Sequence, residues 1–377
     1  MTAPVSPENS RRLIHGMFKA ELESCFLELG LPKYRAGQVW QWLYQRLVSE
    51  WPQMTNLSLA LRQQLAGQFI LESAVAQEIH GEPGATRKML ARFPDGERVE
   101  AVLIPAADRQ TVCVSSQAGC RYSCAFCASG QAGFRRQLAA GEIVGQVLLA
   151  ARLIGARPSN VVFMGIGEPF DNYDEVLRAI RILNDGDGLN IGARRMTLST
   201  CGVIPGIQRL AGEGLQVELS VSLHAPNDEL RSRLMPVNRR YPLAQLLAAC
   251  REYFAATKRL ITFEYTLVRG LNDRPEHARE LARHLGGFPC RVNLIPLSPV
   301  AEFQGEASAP ETAAMFIETL ENAGVNATFR SSKGSAIQAA CGQLRYSTQE
   351  TEDGAGRVQG SEFRAEGVDQ KKQDMHG

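Results

Sequence analysis

Three cysteines crowd one short stretch: Cys120, Cys124 and Cys127 form a C-x3-C-x2-C pattern. A thiolate is a soft donor that suits zinc or the irons of an iron–sulfur cluster. A structural zinc site asks for a fourth protein donor, usually from a second short-spaced pair. The other cysteines, at 25, 113, 201, 250, 290 and 341, make no such pair, and no H-x3-H pair follows. Three thiolates can instead hold three irons of a 4Fe–4S cluster and leave the fourth iron open to a substrate or cofactor. The spacing favours the cluster, with zinc as the alternative. Nine cysteines in a long chain also do not suit a disulfide framework.

More polar groups recur just after apolar, β-rich runs. Met164-Gly165-Ile166-Gly167-Glu168-Pro169 combines glycines, which let backbone approach a ligand, with a carboxylate able to accept from an ammonium group. Ser199-Thr200-Cys201-Gly202 and Ser222-Leu223-His224-Ala225 follow two later runs. A single serine or histidine there usually caps a helix or fills a core. Three polar loops on one rim point to a ligand.

The elements that must position these loops are legible in the periodicity. Strands are expected near 111–115, 160–164, 195–199, 216–222, 260–267 and 290–296. Helical patterns fall between them, near 141–155, 173–184, 204–213, 242–256 and 275–286, and a further helix (310–323) and strand (325–330) follow. Such alternation means parallel strands with crossover helices, hence an α/β fold. Six strand–helix units make an open sheet or a partial (β/α)6 barrel, with chemistry at the carboxyl ends of the strands. Residues 1–80 read as a helical accessory domain, with Leu57, Leu61, Leu65 and Phe69 at every fourth position. Residues 81–110 read as a β-hairpin connector turning at Pro94-Asp95-Gly96, and 111–348 as the barrel core. The polar, Gly-rich 349–377 reads as a disordered tail.

Composition is ordinary for a globular chain: 44% hydrophobic, 21% charged, formal net charge +1. The tail takes more acid than base, so the remainder is mildly basic. That permits nucleic-acid binding without establishing it. No apolar run nears the ~20 residues of a membrane span, and the first twenty residues lack a signal core. A cytoplasmic protein without membrane attachment is expected.

The cysteine pattern, with an aromatic before its last cysteine, resembles the radical S-adenosylmethionine (SAM) superfamily. Six ordered motifs narrow the likeness. They are Cys113-Val114-Ser115-Ser116-Gln117-Ala118-Gly119-Cys120, Gly167-Glu168-Pro169, Leu198-Ser199-Thr200-Cys201-Gly202, Ser222-Leu223-His224-Ala225-Pro226-Asn227-Asp228, Asn293-Leu294-Ile295-Pro296 and Ala339-Ala340-Cys341-Gly342-Gln343-Leu344. Together they resemble the RlmN/Cfr family of RNA adenosine methyltransferases, from about residue 15 to 345.

The resemblance implies a radical SAM barrel, a cluster on Cys120, Cys124 and Cys127, and two SAM per turnover. It implies SAM contacts from Gly167, Glu168, Ser199, Ser222, Leu223, His224 and Ser298. In the family reaction one SAM methylates a cysteine, here Cys341. A second yields a 5′-deoxyadenosyl radical that activates the methyl group for attack on carbon 2 of adenine. Cys113 would resolve the resulting protein–RNA adduct through a disulfide, and Glu100 would accept a proton. The implied partners are 23S rRNA, with tRNA as a further candidate, and a flavodoxin- or ferredoxin-like electron donor. Lys33, Tyr34, Arg35 and Trp40 would help the helical domain bind RNA. Two positions depart from the pattern: Ala336 where the family usually has Asp, and Ser298 where it usually has Asn. Two other readings stand beside this one: methylation of carbon 8, as in the Cfr branch, and a zinc-stabilised RNA-binding protein without catalysis.

Overall fold

The computed structural model describes residues 11–330 and 333–345, so the expected tail at 349–377 lies outside the described residues. The amino-terminal region holds three helices, α1 (Lys19–Glu28), α2 (Lys33–Tyr44) and α3 (Leu59–Gln68). Two short parallel strands, β1 (Arg12–Leu13) and β2 (Phe69–Ile70), close the region on itself. The apolar spacing did select the inward face: Val39, Trp40, Leu43 and Tyr44 are all buried on α2. Trp40 is 1% exposed, and its ring lies tilted against that of Tyr44 with centroids 4.5 Å apart. It is therefore core rather than an RNA contact. Tyr34 is 59% exposed, with the Arg35 guanidinium 5.0 Å from its ring.

One stretch expected within the helical region is a strand. β3 (Val75–His80) pairs antiparallel with β4 (Arg87–Arg92), and its last four residues are exposed. An exposed edge strand needs little apolar alternation, so the period-2 signal was faint. The expected hairpin is β4 with β5 (Arg98–Ala106), and β6 (Arg109–Cys113) continues the antiparallel meander. Gly96 takes a positive φ of 88° in the turn.

A small antiparallel pair, β7 (Gln117–Gly119) and β8 (Phe134–Gln137), brackets the cysteine loop and the short α4 (Ala128–Gln131). The alternating part then runs α5 (Ala140–Ile154), β9 (Asn160–Phe163), α6 (Tyr173–Asn184), β10 (Met196–Thr200), α7 (Ile204–Ala211) and β11 (Glu218–Ser222). It continues through α8 (Asp228–Leu234), α9 (Leu243–Thr257), β12 (Ile261–Leu267), α10 (Pro275–Leu285), β13 (Cys290–Pro296), α11 (Pro310–Asn322) and β14 (Asn326–Phe329).

All large strands join one sheet in the order β14-β13-β12-β11-β10-β9-β6-β5-β4-β3, parallel from β6 through β14. The sheet does not close: β14 and β3 are its edges. It curls all the same, because Thr111 of β6 and Phe329 of β14 line one cavity. Outward side chains such as Val112, Val161, Leu198, Val221 and Phe263 are buried apolar residues. Inward ones include Thr111, Cys113, Asn160, Thr197, Ser199, Ser222, Glu264 and Asn293. A partial barrel with a polar interior results, and among the described residues no helix is long and apolar enough to cross a membrane.

Candidate active site

The cysteine loop is fixed by backbone at both ends. Cys120 N–H donates to the Gly133 carbonyl at 2.9 Å. Gly119, just before it, has φ 76°, and a Cβ there would sit 1.8 Å from that carbonyl. Cys127 caps α4, and Ala125 N–H donates to the Leu234 carbonyl at the end of α8, at 2.9 Å. Ser123, between the ligand candidates, holds a left-handed φ of 47°.

Cys120, Cys124 and Cys127 line a solvent-connected cavity of about 1030 Å³ at the carboxyl ends of the strands. Gly167, Glu168, Ser199, Ser222, His224, Ser298 and Cys341 line it too. Leu223 does not: its side chain is 1% exposed in the core, and its N–H donates to the Glu264 carbonyl at 2.9 Å. The glycines line this cavity and are also closely packed behind it. A Cβ on Gly165 would come within 2.7 Å of Ser115 Oγ, and one on Gly167 within 2.5 Å of Gln117 Cβ.

Glu168 is 3% exposed, and each carboxylate oxygen has one backbone donor, Phe170 N–H at 3.0 Å and Cys201 N–H at 2.7 Å. Burial pushes its pKa up and these donors oppose the shift. The side chains of Cys201 and Thr200 also bond to it, so a ligand ammonium would share acceptor oxygens already engaged by protein donors. His224 holds φ 57° and accepts from Thr266 N–H on Nδ1 at 2.9 Å, which assigns its proton to Nε2. Burial, then the Arg231 charge, lowers its pKa to about 3, so the ring stays neutral.

Cys113 and Cys341 both line a second, solvent-open cavity of about 1500 Å³. Cys341, with Met164, Ile295 and Arg330, forms the wall shared by both cavities, whereas Cys113 lines the second alone. Burial pushes the Cys113 thiol up to about 12, and the neighbouring Cys341 adds to this. Cys341 is accessible because it faces the cavities, yet protein surrounds it and raises its pKa. All nine cysteines are free thiols.

Glu100 lies outside both cavity walls. Lys88 pairs with it at 2.8 Å, and its other oxygen accepts from Arg345 N–H at 2.8 Å. It thus grips the segment that carries Cys341. Ala128 N–H donates to the Gly342 carbonyl at 2.8 Å and Ser129 Oγ to the Leu344 carbonyl at 2.6 Å, docking the same segment on the cysteine loop. Ala336 is exposed in a short 3-10 turn.

Three residues at the site carried no sequence signal. Glu264 is 5% exposed in the first cavity, and its Oε2 has no partner among the described residues. Only the strand alternation of β12 turns it inward. Arg330 follows β14 on the shared wall. Arg231 of α8 is 0% exposed and pairs with no carboxylate among the described residues. Its guanidinium donates to the carbonyls of Cys201 (2.7 Å) and Ser222 (3.1 Å) and to Asn238 Oδ1 (2.8 Å), and its Nε has no partner.

The donor set fits an iron–sulfur cluster. Among the described residues no three Cys, His, Asp or Glu side chains converge to hold a single metal ion. A cube with one iron per thiolate does not ask for such convergence. Burial pushes Cys120 up to about 12 and Cys124 well up, so thiolates at these two positions need cations beside them, which iron supplies. Arg231, buried without an ion pair and near Cys124, with Asp228 as its more distant counter-charge, suits an anion there, and a thiolate-ligated cluster is one.

Residues 114–282 match the Radical SAM superfamily, and residues 14–71 match the ribosomal RNA large subunit methyltransferase N-terminal domain. The chain is 49% identical over 346 residues to a probable dual-specificity RNA methyltransferase RlmN of Symbiobacterium thermophilum, covering 91% of this chain and 93% of the relative. It is 46% identical to the dual-specificity RNA methyltransferase RlmN of Marinobacter nauticus, covering 87% and 91%. A crystal structure of a radical SAM methyltransferase from Sphaerobacter thermophilus superposes with TM-score 0.87 at 47% identity, covering 89% of this chain and 99% of that one. With the cysteine loop, the partial barrel and the amino-terminal helices all accounted for, the chain belongs to the RlmN family of SAM-dependent radical SAM RNA methyltransferases.

Proposed function

We propose that this enzyme methylates carbon 2 of an adenosine in 23S rRNA, with tRNA as a second substrate, by way of a methylated Cys341. The observation that carries the reading is the position of Cys341 on the wall between the cavity of Cys120, Cys124 and Cys127 and the cavity of Cys113. A 4Fe–4S cluster on those three cysteines, with SAM at its open iron and an electron from a flavodoxin- or ferredoxin-like donor, supplies hydrogen-atom abstraction. Each turnover uses two SAM, one of them to methylate Cys341.

The chain's own groups do the rest. Glu168 accepts from the SAM ammonium, while Gly167, Ser199, Ser222, His224 and Ser298 orient the cofactor. Leu223 offers only backbone, since its side chain is core. The Cys341 methyl group, having lost a hydrogen atom, bonds through its carbon to carbon 2 of the adenine ring, which then gives up one electron to the cluster and its carbon-2 hydrogen as a proton. The Cys113 thiolate attacks the Cys341 sulfur, the sulfur–methylene bond breaks with its electron pair on the methylene carbon, that carbon takes a proton to become the product methyl, and a disulfide remains. Glu100 accepts a proton once the segment it grips has lifted. Lys33, Tyr34 and Arg35 on α2 contact RNA, and Trp42, with Arg46 4.8 Å from its ring, takes the aromatic place that Trp40 cannot.

Mass spectrometry of nucleosides from rRNA and tRNA, with and without the gene, tests the reading. Loss of 2-methyladenosine from both pools is expected. Loss of 8-methyladenosine instead would overturn the position, and no change in either pool would overturn the substrate. Cys341→Ala is expected to abolish methylation while leaving roughly four irons per chain. Cys113→Ala is expected to trap a protein–RNA adduct.

A further inference from the structure

The second cavity opens where the sheet fails to close. Ile104 and Ala106 of β5 and Arg109 of β6 form one side, and Phe329, Arg330 and Lys333 form the other. Lys333 reaches across the gap to the Pro105 carbonyl at 3.4 Å. Its charge is one-sided: Arg109, Arg330 and Lys333 line it, and no acidic residue does. All three cations are exposed and none makes an ion pair with a carboxylate among the described residues, although the Arg330 charge is felt by Glu264 on the neighbouring wall. Elsewhere the exposed arginines are often paired, as Arg269 is with Glu306 and Arg209 with Asp174. Phe329 is 46% exposed beside the unpaired cations. The floor is polar, with Thr111, Asn160 and Thr197 turned inward.

Unpaired cations, an exposed ring and amide and hydroxyl groups together suit a phosphodiester-linked nucleotide. The cavity has room for a base turned out of its stack. It also reaches both thiols, whereas the cofactor cavity reaches Cys341 and not Cys113. Resting on the RNA-methylating reading above, we infer that the target nucleotide enters through this second cavity, with its flanking phosphates on Arg109, Arg330 and Lys333. SAM and RNA therefore approach Cys341 from opposite sides of one wall. An occupant of the cofactor cavity lies against Cys341 but not Cys113. An occupant of the second cavity lies against both.

The test is binding of an unmethylated rRNA stem-loop, transcribed in vitro, to the iron-loaded protein across a range of salt. Arg109→Gln with Lys333→Gln is expected to weaken binding roughly ten-fold. It should also make the plot of log affinity against log salt shallower by about 0.7 per lost phosphate contact. Iron content, melting temperature and the change that SAM causes in the cluster's electron paramagnetic resonance spectrum are expected to stay as in wild type. Arg279→Gln, an exposed change on α10, serves as the remote control. Wild-type affinity and slope in the double variant would overturn the inference. A wild-type protein that neither binds nor methylates the RNA would instead overturn the functional reading itself.

Discussion

Replacing Arg231 with Met separates two jobs that the structure gives one side chain. The guanidinium ties the loops after β10 and β11 together through Cys201 and Ser222, and holds Asn238. Three charge-assisted bonds at about 1.5 kcal/mol each come to about 4–5 kcal/mol. Removing a buried cation returns part of that through relieved desolvation. A net loss of about 2–3 kcal/mol is expected in the iron-free protein. In the loaded protein the same change also strips a cation from beside an anionic cluster, so the loss should be larger. Urea unfolding of both forms under anaerobic conditions measures the two values. Arg231→Lys supplies the control, because it keeps a charge and loses the fork. It should be destabilised in both forms with little difference between them. Equal losses for Arg231→Met in the loaded and iron-free proteins would refute charge compensation and leave Arg231 a loop tie alone.

Other changes test other contacts. Gly342 has φ 83°, and a Cβ there would stand 2.9 Å from the Phe126 carbonyl. Gly342→Ala should cost about 1–3 kcal/mol of local strain and speed amide hydrogen exchange across 338–345, with iron content unchanged; unchanged exchange would count against the docking described. Lys88→Met removes a clasp whose two side chains are only 11% and 12% exposed. Faster exchange at the Arg345 amide is expected, and wild-type exchange there would mean that Glu100 holds the segment unaided. His15 is buried with its Nε2 unpartnered, and burial, then Arg152, lowers its pKa to about 3. The unfolded chain takes that proton below about pH 6.5 and the folded chain refuses it until about pH 3. Stability should therefore fall with pH across that window, by about 2 kcal/mol at pH 5 from this group. His15→Gln should make the fall shallower by one proton in urea melts, and an unaltered slope would show that His15 takes up its proton without unfolding.

How much of this was legible depended on which force shaped each part. The barrel strands were read to within a few residues because each is apolar on its outward face and bounded by turn residues. β10, expected near 195–199, runs Met196–Thr200. β3 was missed because an edge strand with four exposed residues leaves no apolar rhythm. α8 was missed although Asn227 announces it, accepting from Leu230 N–H at 3.0 Å as an N-cap does. The cysteine loop was visible because chelation is local. Arg231, Glu264 and Arg330 were not, since their meaning comes from strands and helices that meet only in the fold. Leu223 and Trp40 went the other way. Both were assigned to ligands, and their apolar side chains were claimed by the core.

The place of Cys341 bears on how much must move. Its segment is held by Glu100, Lys88, Ala128, Ser129 and the Pro299 carbonyl, and buries Ala339, Ala340 and Leu344. Lifting it breaks several hydrogen bonds and exposes a leucine, a cost of several kcal/mol that makes the lifted state rare. Yet Cys341 already stands on the wall shared by the two cavities, and on the proposed mechanism rotation about its Cα–Cβ bond is the movement that carries the sulfur from one to the other. Side-chain rotation of this kind takes picoseconds to nanoseconds, far faster than loop opening. If the proposed methyl transfer occurs here, the clasp on both flanks holds the backbone still while the thiol alone changes sides. Lifting is then needed only where Glu100 must be freed, which separates the step that uses Glu100 from the step that charges Cys341. A Lys88→Met enzyme should accordingly methylate Cys341 at the wild-type rate and differ only afterwards.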